Sequence, residues 1–156
     1  MVDADYLATI RGVPFMNHLV LLDAQAGELE SILSGVKTML VSEFDSAQAT
    51  AHPVTPGDSL YFLRNWDDLA LRVRATVVRV LPLTNTADED LSHTLKEMQP
   101  RLQLTEQQYN YWSAKRQVLL VEFDSAHKIE VIRVASNTIP DRSSWIAFED
   151  FSHIGE

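Results

Sequence analysis

The stretch Ile32-Leu33-Ser34-Gly35-Val36-Lys37-Thr38-Met39-Leu40-Val41-Ser42-Glu43-Phe44 runs from a helix end through a glycine and a lysine into a strand. Leu29, Ile32 and Leu33 recur at helical spacing, and Glu28 and Glu30 suit an N-terminal half, so a helix is expected over Ala26 to Ser34. Gly35 ends it, because a residue that tolerates left-handed backbone lets the last carbonyls find partners while the chain reverses. Thr38 to Phe44 then reads as a strand. Lys37 falls at its start, beside the space between helix and sheet, which is a place for an anionic or polar ligand.

Working outward, His18 to Leu22 is a short apolar run bounded by Asn17 and Asp23 and reads as the first strand. Asp45 to Asp58 is a long polar loop ending in the turn Pro56-Gly57-Asp58, followed by a strand over Leu60 to Leu63. Asn65-Trp66-Asp67-Asp68 reads as a hairpin into Leu69 to Leu81. There Leu71, Val73, Ala75 and Val77 share one face, and Arg72, Arg74 and Thr76 the other. Helices are expected over Asp88 to Met98 and Thr105 to Lys115, interrupted by Pro100, with Tyr109 and Trp112 on one face of the second. Two strands follow, Gln117 to Phe123 and Ile129 to Val134, joined by Asp124 to Lys128. Glu-Phe-Asp-Ser-Ala occurs at 43–47 and at 122–126; without matching flanks it reflects shared turn chemistry and not duplication. Trp145, Phe148 and Phe151 are expected to dock the last twenty or so residues back on the body.

With 156 residues, 46% hydrophobic and 22% charged, the chain suits one globular domain with a real core. There is no cysteine, so disulfides, thiolate metal sites and a cysteine nucleophile are excluded. No apolar run approaches the roughly twenty residues of a membrane span, and the N-terminus lacks the pattern of a secretory signal, so a soluble cytoplasmic protein is expected. A net charge of −9 argues against binding nucleic acid through the backbone alone, although Arg72, Arg74 and Arg79 lie on one short segment that could form a local basic face.

The segments Ile32-Leu33-Ser34-Gly35-Val36-Lys37-Thr38 and Pro56-Gly57-Asp58-Ser59-Leu60, in this order and spacing, resemble the ASCH domains of the PUA-like superfamily. The resemblance implies an α+β fold, a β-barrel of about six strands with flanking helices that handles RNA or nucleosides. It implies a single domain over 1–156, with its core at about 18–135 and an aromatic C-terminal extension at 136–156. Some ASCH proteins are nucleoside amidohydrolases that use a lysine, a threonine three residues later and a glutamate in a later helix. The lysine corresponds to Lys37. The threonine position is Leu40, which has no nucleophilic oxygen, and an arginine after it is Ser42 here. Thr38 is no substitute, since neighbouring strand residues point to opposite faces. Glu97 is the nearest glutamate by context, while an ungapped comparison lands on Pro100.

Lys37 is the first choice for a site residue: beside a cleft a lysine holds a phosphate or carbonyl oxygen, or acts as a base if burial lowers its pKa. A plain solvent lysine at a helix end is the alternative. Tyr61, Trp66, Tyr111, Trp112 and Trp145 are aromatic faces that can stack a base, and Trp66 is the best candidate because it lies in a polar turn where no core requires it; the competing reading puts Tyr61 and Trp112 in the core and makes Trp145 an anchor for the extension. The five histidines show no metal-ligand spacing, the acidic pairs suit turns and helix starts, and no phosphate loop is present, so neither metal nor cofactor is expected. The leading expectation is therefore a domain that binds RNA or a modified nucleoside in a cleft lined by Lys37, Arg64, Trp66, Arg72 and Arg74. The second is a nucleoside amidohydrolase or ribonuclease-like hydrolase in which Lys37 is catalytic. The third is a protein-interaction module, in which the aromatic extension makes a homodimer.

Overall fold

In chain order the strands are β1 (Asn17–Leu21), β2 (Met39–Glu43), β3 (Ser59–Leu63), β4 (Ala70–Thr84), β5 (Gln117–Arg133) and β6 (Trp145–Phe148), and they form one sheet in the order β2-β5-β4-β3-β1-β6. The computed structural model describes residues 15–44, 53–65, 68–86, 90–135 and 145–148. β1 and β3 run parallel; every other neighbouring pair is antiparallel. The sheet curls into a half-barrel, flanked among the described residues by α1 (Glu28–Leu33), α2 (Leu91–Glu97), α3 (Gln99–Leu102) and α4 (Glu106–Ser113).

Strand alternation divides the core. Leu60 and Phe62 point into the curl with Val20, Leu40, Val73, Ala75 and Val121, while their neighbours Tyr61 and Leu63 point outward and pack with Leu19, Leu71 and Phe148. β3 is consequently buried along its whole length. A third apolar cluster lies beneath α2, α3 and α4, where Leu91, Leu95, Leu102 and Leu104 meet Met39, Val118 and Leu120.

The helix before Gly35 is shorter than its pattern suggests, because Ala24–Ala26 forms a separate 3₁₀ turn and Gly27, at φ 63, precedes α1. Gly35 adopts φ 81, and the backbone N–H groups of Val36 and Lys37 donate to the Ser31 carbonyl, so the reversal is as expected. Two expectations fail. Pro100 does not merely interrupt: it occupies the first turn of α3, where a missing N–H costs nothing. The strands expected at 117–123 and 129–134 are one strand, because β4 pairs with β5 throughout. Between the pairs Thr76 with Asp124 and Arg74 with His127, β5 carries an extra residue, and Ser125 takes φ 57 in this bulge. Asp-Ser-Ala therefore bends a strand and does not end it. The extension's Trp145 to Phe148 forms an edge strand on β1, whereas Phe151 lies outside the described residues.

Candidate functional site

Lys37 is only 1% exposed. The chain reversal after α1 delivers its side chain under that helix, where Nζ lies 3.2 Å from Glu28 Oε2 and donates to the carbonyl of Leu102 at the end of α3. Glu28 is itself held, since its Oε1 accepts from the Asp23 N–H at 2.7 Å. Burial pulls the Lys37 ammonium below its ordinary value of 10.5, and the Glu28 carboxylate opposes that shift. An ammonium has three donors, and among the described residues two are matched by Glu28 and Leu102.

Lys37 also lines a cavity of about 340 Å³ between α1, β2 and α4, together with Leu40, Ser42, Gln108, Trp112 and Trp145. Leu40 and Ser42 share the space because they are two apart on β2. At the rim, Tyr111 is half exposed; its hydroxyl donates to Glu43 Oε1 at 3.0 Å, and Lys115 Nζ reaches the same oxygen at 3.0 Å while lying 4.6 Å from the Tyr111 ring centre. These contacts tie the end of β2 to the end of α4. Lys115 and Tyr111 together hold the Glu43 carboxyl below the usual carboxylate range. Asp23, Gln25 and Gln107 continue from the cavity into a polar groove that also includes Thr105, Glu106 and Asn110. Among the described residues, no arginine or lysine lines that groove.

The other expected site residues are placed elsewhere. Arg74 pairs with Tyr61 across β3 and β4, and Tyr61 points away from the interior of the curl, so Arg74 lies on the outward face. Arg74 donates to Ser59 Oγ at 2.9 Å, Arg72 lies 3.4 Å from Asp68, and Arg64 lies 2.7 Å from Glu30. None of the three lines the cavity. Trp66 lies outside the described residues. Glu97, the nearest match to a catalytic glutamate, is an exposed partner of His93 at 2.8 Å and is absent from the cavity lining. The carboxylate beside Lys37 is Glu28, which nine residues of separation hid until the reversal at Gly35 folded α1 back. Trp145, in sequence an anchor for the extension or a stacking face, forms part of the cavity wall.

No family model and no curated protein matches the chain. Solved structures do. A tyrosine-to-phenylalanine variant of an ASCH protein from Zymomonas mobilis superposes with a TM-score of 0.61 at 13% identity, over 86% of this chain and 91% of that one. A serine-to-alanine variant of the same protein gives 0.60 at 13% identity, over 86% and 89%. Its structure described simply as ASCH gives 0.60 at 11% identity, over 86% and 88%. At such identities the shared property is backbone architecture, and residue roles do not transfer with it. The chain has the fold of these ASCH proteins, an α+β half-barrel.

Proposed function

We propose that this ASCH-type domain binds an uncharged nucleobase or modified nucleoside in the cavity between α1, β2 and α4. One observation carries the proposal: a lysine almost wholly withdrawn from solvent keeps one of its three donors unmatched by the described residues, at the wall of a ligand-sized space. A base carbonyl suits that donor. Ser42 and Gln108 can serve the remaining polar edge, and Trp112 and Trp145 supply apolar surface.

Charge favours a neutral ligand over a phosphorylated one. Glu28 offsets Lys37, Asp23 adds a carboxylate, and the adjoining groove contributes Glu106 without a cation. A phosphate would meet these carboxylates at close range, while Arg74 lies on the opposite side of the sheet and Arg72 is absent from the cavity lining. Binding of an RNA segment would therefore need one base inserted in the cavity and its backbone kept outside.

Isothermal titration of the protein with cytidine, adenosine and their 5′-monophosphates tests this. The expected result is nucleoside binding, at least about tenfold weaker for the monophosphate, and loss of nucleoside binding in Lys37→Met. Monophosphates binding as tightly as nucleosides, or Lys37→Met binding normally, would overturn it. A hydrolase reading draws on the lowered pKa of Lys37, but Leu40 has no nucleophilic oxygen where a threonine would stand. Incubation with an N4-acylated cytidine is accordingly expected to give binding without release of the acyl group.

A further inference from the structure

Three buried side chains form a chain that ends in the cavity wall. His18 on β1 and Asp58 in the Pro56-Gly57-Asp58 turn are almost fully buried, and His18 Nε2 lies 2.7 Å from Asp58 Oδ2. On the other side of the imidazole, Trp145 Nε1 donates to His18 Nδ1 at 3.1 Å. An indole nitrogen only donates, so Nδ1 must be the unprotonated acceptor and Nε2 must carry the proton given to Asp58. The direction of the relay is therefore fixed: Trp145 to His18 to Asp58.

The far end of this relay cannot swing. Asp58 also accepts from the backbone N–H groups of Met16 at 3.1 Å and Thr55 at 3.0 Å, and from the Thr55 hydroxyl at 3.2 Å. The near end has limited freedom as well. Val20 pairs with Trp145 across β1 and β6, and His18 is two residues from Val20, so the three side chains share one face of the sheet. The His18 and Trp145 rings sit 5.8 Å apart at a 54° tilt. Because Nε1 is the indole's one polar atom and it is directed at His18, what Trp145 offers the cavity is aromatic hydrocarbon.

We infer that Asp58 and His18 are positioning residues that hold Trp145 as a donor-free stacking wall of the cavity, opposite in character to the Lys37 side that supplies the hydrogen bond. The inference rests on the cavity taking a nucleobase, and it adds that the base is recognised there by stacking. Stacking tolerates any base, so selectivity among bases would come from Lys37, Ser42 and Gln108.

The test uses the full chain labelled with ¹⁵N. The indole cross-peak missing in Trp145→Phe identifies Trp145, and long-range correlations report the tautomer of His18. Adenosine is titrated while calorimetry follows binding. His18 is expected as the Nε2–H tautomer. The Trp145 cross-peak is expected to shift with adenosine while its N–H stays slow to exchange. Trp145→Phe should bind adenosine within about threefold of the parent, whereas Trp145→Leu, which fills the space without a ring, should lose about tenfold or more. His18→Phe should make the indole N–H exchange fast; His18→Asn, which retains an acceptor, should restore part of its protection. Calorimetric binding with an unmoved Trp145 peak and normal affinity in Trp145→Leu would overturn the stacking role alone, and an Nδ1–H tautomer would overturn the relay. No heat from any nucleoside would overturn the reading of the cavity, and the stacking role with it.

Discussion

Replacing Lys37 by Met removes a charge while keeping most of the side chain's volume, and the cost follows from what is left behind. Glu28, with a side chain 12% exposed, would lose its cation but keep the Asp23 N–H at 2.7 Å. Breaking a buried pair from one side costs about 3–5 kcal/mol, and the retained hydrogen bond puts Glu28 at about 3. The Leu102 carbonyl loses its donor too, for about 1 kcal/mol more. The total of about 4 kcal/mol corresponds to a fall in Tm of about 8–16 °C for a chain of this length. Adding Glu28→Gln removes the stranded charge and keeps the acceptor for Asp23, so Lys37→Met/Glu28→Gln should stand about 1 kcal/mol below the parent. Urea unfolding of the parent, both singles and the double measures this directly. The pH dependence carries a sign. The folded pKa of Lys37 lies below its usual value, so between the folded and unfolded values the unfolded chain binds more protons, and the stability owed to Lys37 rises with pH toward 10.5. The gap between the parent and Lys37→Met should therefore widen on the alkaline side. A single variant within about 1 kcal/mol of the parent, or a double variant no more stable than Lys37→Met, would refute the buried pair.

Two further outcomes concern the turn and the rim. Gly57 sits at φ 96, and a Cβ there would meet Phe15 Cε1 at 2.5 Å, whereas Gly35 at φ 81 has open space around it. Both alanine variants carry backbone strain, about 1 kcal/mol for Gly35→Ala, but Gly57→Ala should lose at least about 2 kcal/mol more in chemical unfolding because the Phe15 ring must move. At the rim, Glu43 has its folded pKa lowered first by Lys115, with Tyr111 adding to it. Its small contribution should be intact above the ordinary carboxylate value and vanish as pH falls through the lowered one, with Glu43→Gln costing under about 1 kcal/mol because the pair is partly solvated. Carboxyl ¹³C titration should place the Glu43 midpoint below the ordinary value and move it back up in Tyr111→Phe.

The sequence disclosed most elements because their signals are local. Period-two patterning in Val73, Ala75 and Val77 does mark the inner face of β4, whereas Leu71, beyond a register shift, packs with the outward cluster; Thr105 with Gln108 does cap α4 in both directions. Boundaries failed where a local cue had two structural uses. Asp-Ser-Ala can close a hairpin or open a bulge, and only the continuous partner β4 decides between them; Pro100 can break a helix or begin one.

The site divides along the same line. The position of Lys37 beside a cavity was legible because a glycine-ended helix fixes how the chain reverses, and that is a short-range matter. Arg74 was harder to place because a strand shows which residues share a face without showing which face is hollow, and Arg74 lies on the outward one. Trp145 and the Asp58–His18 contact required knowledge of which strands become neighbours, since β1 lies between a strand about forty residues downstream and another from the extension, and Glu28 required the path of the reversal at Gly35. Pro56-Gly57-Asp58, read from sequence as turn chemistry, also supplies the carboxylate that orients a cavity side chain through His18. A residue can thus satisfy a local rule and carry a distant consequence, and the local rule hides the second role, because it already accounts for the residue's presence.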